Sequence, residues 1–403
     1  MANSLPSSGV KIQNAIETYM GHPLKIALLC LEMRESDRNY LAPEPRFHTA
    51  VEALLQGFAR LPEVEIHVVT CTQQRMTAPE KIAPNIFYHN LVVPKLGWLR
   101  TGYQGCIRAT RKKLREIQPD IVHGQGTERD SALSAIFSGF PNLITIHGNM
   151  RLIARVQHAR PFSFHWLAGQ LERFTIPRTA GVVCITNYTR VAVEPLARRT
   201  WLLPNAVDAS FFDVQPKPTP GEAPVILCVG TIDQRKNQNA FIRALDLLAS
   251  QKKFKVVFLG RPDSGNYGSE FLQLVKARAW CEHIGFADRA RVKEFFQTAT
   301  ALALPTVEDN CPMVVLEAMA AGVPVLASRV GGVPDLIESE KTGLFCDPNR
   351  PESFCEGVAR LLADRELAQR LATSAKAEAL RRFHPLTIAR QHLEIYHEVL
   401  RDS

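Results

Sequence analysis

Residues Val307–Ser328 read VEDNCPMVVLEAMAAGVPVLAS. Most of this stretch has the composition of a protein interior, yet Glu317 stands in its middle and Glu308 and Asp309 at its mouth. An ionised carboxylate in apolar surroundings is strongly unfavourable unless something compensates it. Glu317 therefore calls for a buried arginine, or for a cavity whose polar occupant accepts it. The preceding run, ATALALP, has strand character, and Pro312 suits the first turn of a helix. Asp309 then falls just outside that helix and Glu317 inside it, eight positions on. Asp309 can cap the helix or turn its free oxygens to a cleft. Glu317 can pair with a core arginine or accept two vicinal hydroxyls, as a ribose offers.

A second stretch upstream, ILCVGTIDQRKNQNAFIRALDLL, repeats the strand–turn–helix order. Its strand ends at Gly230 and its helix begins near Asn237. Arg235 and Lys236 are thereby set beside a helix amino terminus, where exposed N–H groups favour anions. A guanidinium fork with a mobile ammonium makes a phosphate clamp; the plainer reading is two solvated loop cations.

The same alternation runs along the whole chain. LKIALLCL, EIHVVTC, PDIVHGQ, NLITIHG and AGVVCIT read as buried strands in the first half, and APVILCVG, FKVVFLG, ATALALP, VPVLAS and TGLFCD in the second. Continuous apolar strands separated by helices indicate parallel sheets covered on both faces. Between the halves, FFDVQPKPTPGEAP holds four prolines and one glycine, a linker composition. The expected plan is an extension at 1–23, a Rossmann-like domain at 24–205 and a linker at 206–222. A second Rossmann-like domain at 223–383 and a terminal helix at 384–403 complete it. In such α/β folds ligands bind beyond the carboxyl ends of the strands, so the inter-domain cleft is the expected site.

Composition narrows the function. At 403 residues, with 46% hydrophobic and 22% charged, the chain has the make-up of a two-domain soluble enzyme. It holds no apolar run long enough to span a membrane and no secretory signal. Nine cysteines without a C-x-x-C pair argue for buried thiols in a reduced, cytoplasmic setting and against a zinc site. A net charge of +8 points to anionic partners. The densest basic run, RATRKKLRE from Arg108 to Glu116, reads as a solvated helix face, with an anionic acceptor or membrane surface as the alternative. No aromatic residues interleave with it, so nucleic acid is not expected as a partner. No D-x-D pair is present, so neither a metal site nor a cofactor is expected.

Taken together, G-x-φ-x-x-R-K, the Asp309 to Glu317 spacing, EAMAAGVPVLAS, VGGVPDLI and TGLF resemble the retaining glycosyltransferases of family four, of GT-B architecture. DIVHGQGT, TIHGNM, VVCITN and LLPNAVDASFF resemble that family's first half in order. The resemblance implies a nucleotide-diphosphate sugar as donor and a glycan, lipid-linked or small-molecule acceptor. It implies Lys236, with Arg235, on the diphosphate, Glu317 on the ribose, and Asp309 on the transferred sugar, with Glu308 as its substitute. Gly230, Thr231 and the 310–314 segment (Asn310, Cys311, Pro312, Met313, Val314) would face sugar and phosphate, and Gly285 and Phe286 the base. His147 would stand near the reaction centre, and His123, Gln125 and Arg46 on the acceptor side. The resemblance also implies that the terminal helix packs back on the first domain, and it allows peripheral membrane contact through the basic helix. Three departures stand out: Thr231 replaces the usual arginine, Asp309 is one methylene short of the usual glutamate, and LEMRESDRNYLAPEPRF lacks glycine where a glycine-rich loop is usual. The expected activity is metal-independent glycosyl transfer with retained configuration. A GT-B sugar-nucleotide epimerase, a phosphorylase-like enzyme lacking any clear pyridoxal lysine motif, and a non-catalytic nucleotide-sugar-binding protein are the competing readings.

Overall fold

The computed structural model describes residues 22–217 and 221–403. Most of the extension assigned to 1–23, and three linker residues, lie outside them. The first sheet comprises β1 (Leu24–Leu29), β2 (Val64–Thr72), β3 (Lys81–Ala83), β4 (Ile86–Val92), β5 (Ile121–Gln125), β6 (Asn142–Ile146), β7 (Val182–Cys184) and β8 (Thr200–Leu202). Its spatial order is β3-β4-β2-β1-β5-β6-β7-β8, parallel throughout except at the β3 edge. The second sheet holds β9 (Val225–Val229), β10 (Lys255–Leu259), β11 (Cys281–Gly285), β12 (Ala301–Leu304), β13 (Val325–Ser328) and β14 (Leu344–Cys346). Its order is β11-β10-β9-β12-β13-β14, with every pairing parallel.

This order positions the site. In each sheet the chain winds outward one way, then returns to the middle and winds the other way. The reversal lies between β1 and β5 in the first sheet and between β9 and β12 in the second. Loops leaving the two central strands then diverge to opposite faces and leave a crevice at their carboxyl ends. In the second sheet those two loops are the ones that carry Arg235–Lys236 and Glu308–Asp309.

Residues 206–217, linker-like in composition, are packed rather than free. Val207 and Phe211 are fully buried in the second domain's core, where Phe211 meets Phe296 edge-on. The Val207 amide donates to the Phe383 carbonyl at 2.9 Å. Beyond Phe383, the terminal helix Pro385–Arg401 crosses to the first domain and buries Ile388, Ile395, Tyr396 and Val399 there. It lies against the helix Thr49–Phe58 so closely that a Cβ on Gly57 would stand 2.2 Å from the Pro385 carbonyl oxygen. The two domains are thus joined by two strands of chain, each buried in a core.

The glycine-free loop after β1 is organised by a buried ion pair. Glu32 and Arg34 are both inaccessible, 3.1 Å apart between Oε2 and Nη2. Glu32 also accepts from the Tyr88 hydroxyl at 2.6 Å and the Arg46 amide at 3.0 Å. Arg34 donates to the carbonyls of Ala42 and Thr77. Side-chain hydrogen bonds here hold the turn, and the Arg46 guanidinium is left exposed, 3.5 Å from Asp37. Removing one partner would strand the other charge in the interior. Arg34→Met is expected to destabilise the protein by about 3–5 kcal/mol in urea unfolding; a loss below about 1 kcal/mol would show that the loop does not rely on the pair.

Candidate functional site

Because β9 and β12 are neighbours, the loops that follow them meet although they are far apart in sequence. The Arg235 carbonyl accepts from the Val307 amide at 2.8 Å and the Thr306 hydroxyl at 2.9 Å. Lys236 Nζ donates to Asp309 Oδ2. Arg235 Nη1 donates to the Glu308 carbonyl at 3.1 Å and lies 3.8 Å from the Glu308 carboxylate and 3.7 Å from that of Asp309. Both cations and both mouth carboxylates therefore form one cluster. Asp309 does not cap the helix: Pro312 holds the N-cap position of Met313–Ala321, which has no side-chain cap. Thr231 is exposed, and its carbonyl accepts from Gln238. Gly230 and Gly285 both have positive φ. Beyond Gly285 the exposed Phe286 ring carries the Arg261 guanidinium 4.8 Å from its centroid.

Glu317 lies in a helix that is buried all round but for Met313, as the nearly uniform apolar sequence requires. Its carboxyl is pushed up to about 7, chiefly by burial, with Arg289 pulling the other way. Arg289 forms ion pairs with Asp208 at 3.3 Å and Glu52 at 3.4 Å and does not reach Glu317 as an ion-pair partner. Its Nε and Nη2 are buried without a hydrogen-bond partner. The core-arginine pairing weighed for Glu317 is thus not formed, and the guanidinium retains unmet hydrogen-bonding capacity.

Asn310 ties the lobes together. Its Oδ1 accepts from the hydroxyls of Thr186 and Thr189, the latter at 2.8 Å, and its Nδ2 donates to the His147 carbonyl at 2.9 Å. Gly331 and Gly332 make room for this turn, since a Cβ on either would stand about 2 Å from the carbonyl oxygen of Asp309 or Asn310. Asp335, from the same VGGVPDLI segment, accepts from the Asn187 amide at 2.6 Å across the interface. It thereby caps the first-domain helix Asn187–Val193 alongside Thr186. Thr186, Thr189 and Asp335 were absent from the sequence-based site. The cross-domain partners of VVCITN and VGGVPDLI are visible only once the chain is folded.

His147 follows β6 and stands at the inner wall of the site. Its Nε2 is 2.7 Å from Gln125 Oε1, and burial draws its pKa down to about 4, which leaves the imidazole neutral. Gln125 lies against the His123 ring, whose nitrogens also contact the Tyr396 hydroxyl and the Thr145 hydroxyl, each at 2.7 Å. His123 is fully buried and Gln125 nearly so. In this structure His123 is enclosed between the terminal helix and Gln125 and does not face an acceptor, whereas Gln125 lines a small cavity together with His147. Cys311 is buried beside Asn205, its thiol raised to about 12 by burial. One clustering was invisible to sequence spacing. Cys71, Cys106 and the carboxylate of Asp130 gather within 4.8 Å of one another, all buried, with Asp130 raised to about 6 by burial.

Two doubly wound sheets with a charged cluster at the central strand ends, facing a second lobe, define the GT-B class. The chain matches the family descriptions "Glycosyltransferase Family 4" over residues 48–211 and "Glycosyl transferases group 1" over 210–378. It belongs to the glycosyltransferases of family four, group 1. An uncharacterized glycosyltransferase of Methanocaldococcus jannaschii is 29% identical over 172 residues, 43% of this chain and 44% of that one, so the match spans less than half that relative. Sucrose-phosphate synthase from Thermosynechococcus elongatus superposes with a TM-score of 0.75 at 20% identity, covering 94% of this chain and all of that one. Anabaena Alr3699/HepE in complex with UDP-glucose gives 0.67 at 16%, over 93% and 100%. At these identities the two structures establish the fold.

Glu317 makes stability depend on pH. An acid whose pKa is higher in the fold than in the unfolded chain stabilises the fold while protonated. That contribution is full below about pH 4.5 and is lost as the pH climbs through about 7. Glu317→Gln is therefore expected to be more stable than the parent by about 1–3 kcal/mol near pH 8, the two converging near pH 5 in denaturant titrations. Equal stability at the higher pH would mean that the carboxylate has a partner.

Proposed function

We propose that the protein transfers a glycosyl group from a nucleotide-diphosphate sugar to an acceptor hydroxyl, with retained configuration and without a dedicated divalent metal. The observation that carries this reading is the joining of Arg235, Lys236, Glu308 and Asp309 at the central strand ends of a domain that also holds the unpartnered Glu317. Family membership supports glycosyl transfer itself. It does not give nucleotide, base or acceptor, though the structural neighbour in complex with UDP-glucose supports a nucleotide-sugar donor.

On this reading the pyrophosphate draws the Lys236 ammonium from Asp309, with which it is paired in this structure. Arg235 and Lys236 then carry the leaving group's charge, a role divalent metals fill elsewhere. The Asp309 carboxylate, freed on one side, accepts from a hydroxyl of the transferred sugar. Its shorter side chain suits a residue already anchored to the strand-end loop beside it. Glu317 accepts the ribose hydroxyls, and the ligand meets the hydrogen-bonding capacity that folding leaves unmet. His147, neutral, hydrogen-bonds near the reacting carbon; no side chain attacks it. The departing phosphate oxygen takes the acceptor proton on the same face as the incoming hydroxyl.

Lys236→Ala is expected to weaken binding of the nucleotide diphosphate by about ten- to a hundredfold in calorimetry. Unchanged affinity would reject its phosphate role. Asp309→Asn should lower turnover by about a hundredfold or more while changing nucleotide affinity far less; matched losses would point to a purely structural pair. Turnover is expected to survive chelation, and nuclear magnetic resonance of the first product should give the donor's anomeric configuration. Abolition by chelator, or an inverted product, overturns the corresponding part. A thermal-shift screen against uridine, guanosine and adenosine diphosphate sugars identifies the base.

A further inference from the structure

From Ser131 to Val193 the chain contains six arginines and a single acidic residue, Glu172, which is fully buried. At the chain's overall acid content, 40 in 403, about six acids would fall in that span. The surface made by this segment therefore carries no exposed carboxylate. Its centre is a helical hairpin, Met150–Val156 followed by Phe164–Thr175, whose two helices pack together. Large apolar side chains are exposed along it: Val156 at 56%, Phe162 at 80%, Phe164 at the start of the second helix, and Phe174 near its end, against Phe137 and Arg178. Arg155 and Arg160 are exposed at the tip. Phe162 has a φ of +65°, a backbone state disfavoured for a bulky residue. The hairpin thus holds an aromatic ring in water by a strained turn, a cost that folding alone does not recover.

The basic helix Gln104–Ile117 is built differently. Arg108, Arg111, Lys112 and Arg115 face solvent and Lys113 pairs with Glu116, while Cys106, Ile107, Leu114 and Ile117 are turned inward. Its own exposed face carries charge and no large apolar side chain, although Leu96 and Leu99 are exposed in the turns that lead into it. The hairpin presents both, which is the combination that seats a protein in the headgroup layer of a bilayer: aromatic and aliphatic groups enter the acyl boundary, and arginines meet lipid phosphates. A second copy of this chain is a poor occupant, because a self-paired face would bring like charges together.

We propose that the hairpin of residues 150–175 docks the protein on an anionic lipid bilayer. It is firmly tied to the cleft. Glu172 accepts from the amides of Met150 at 2.8 Å and Arg151 at 3.3 Å and from the Thr127 hydroxyl at 2.9 Å, bracing the hairpin against the loops after β5 and β6. Only Gly148 and Asn149 separate His147 from the first helix. On the transferase reading, on which this part rests, an acceptor carried in the membrane would reach the site beside the docked hairpin.

The test uses the full chain and sedimentation with vesicles of phosphatidylcholine, with and without phosphatidylglycerol. Binding to the anionic vesicles is expected to exceed binding to the zwitterionic ones by about tenfold and to fall as salt is raised. The Phe162→Ser, Phe164→Ser double variant should lose about tenfold of that binding, and Arg155→Gln, Arg160→Gln should lose the preference for anionic lipid. Unchanged melting curves would show that both variants fold, and affinities for uridine, guanosine and adenosine diphosphates are measured separately, so that failure of the donor reading and failure of docking are distinguishable. The proposal is overturned if the parent ignores anionic vesicles. It also fails if Arg111→Gln with Lys112→Gln loses binding while the hairpin variants retain it. A dimer that the Phe162→Ser, Phe164→Ser variant abolishes would make a second copy the occupant, against the proposal.

Discussion

The pairing of Lys236 with Asp309 depends on one topological fact, that β9 and β12 are neighbours although 71 residues separate the ends of their segments in the Thr306–Arg235 contact. The charges can meet only because the chain, after building β10 and β11 on one side, returns to the centre. One backbone bond, from the Val307 amide to the Arg235 carbonyl, and the Thr306 hydroxyl on the same carbonyl hold the two loops together. The ion pair then neutralises groups that would otherwise repel or remain poorly solvated in the crevice.

Buried polar groups elsewhere follow the same principle of local compensation. Glu32 and Arg34 stand in for glycine in a tight loop, Glu172 gathers amide and hydroxyl donors, and the His123–Gln125–His147 series connects the terminal helix to the site. Glu317 is the exception among these. Arg289 influences its charge without bonding to it, and burial raises its carboxyl to about 7. A binding protein gains from such an arrangement, because a ligand that satisfies the acid recovers what folding has left unrecovered.

The two-sheet architecture was legible because parallel strands buried on both faces must be continuously apolar, and LKIALLCL, APVILCVG and the rest are. The Arg235–Lys236 and Glu308–Asp309 stretches were legible as strand-end chemistry, but their mutual pairing was not, since strand order is a property of the sheet. Asp309 could be read as a cap from its place before Pro312; the folded loop turns it to Lys236 instead. His123 and Gln125 read as acceptor-side groups at the end of a buried strand, and the return of the terminal helix, which sets the Tyr396 hydroxyl against His123, is not visible in that reading. The tie between Asp335 and the helix after Thr186 joins residues 148 apart and has no local signature. Packing of Val207 and Phe211 likewise escaped a reading based on the prolines that follow them.

Asn310 has a consequence for motion. One amide group satisfies two threonine hydroxyls and a carbonyl, all from the opposite lobe, and the Gly331–Gly332 turn leaves its backbone little slack. Separating the lobes cannot lengthen these bonds one at a time, because they converge on a single planar group. The interface should behave as a latch that is either shut or released, and whatever occupies the crevice next to Asn310 gains direct leverage over which of the two it is.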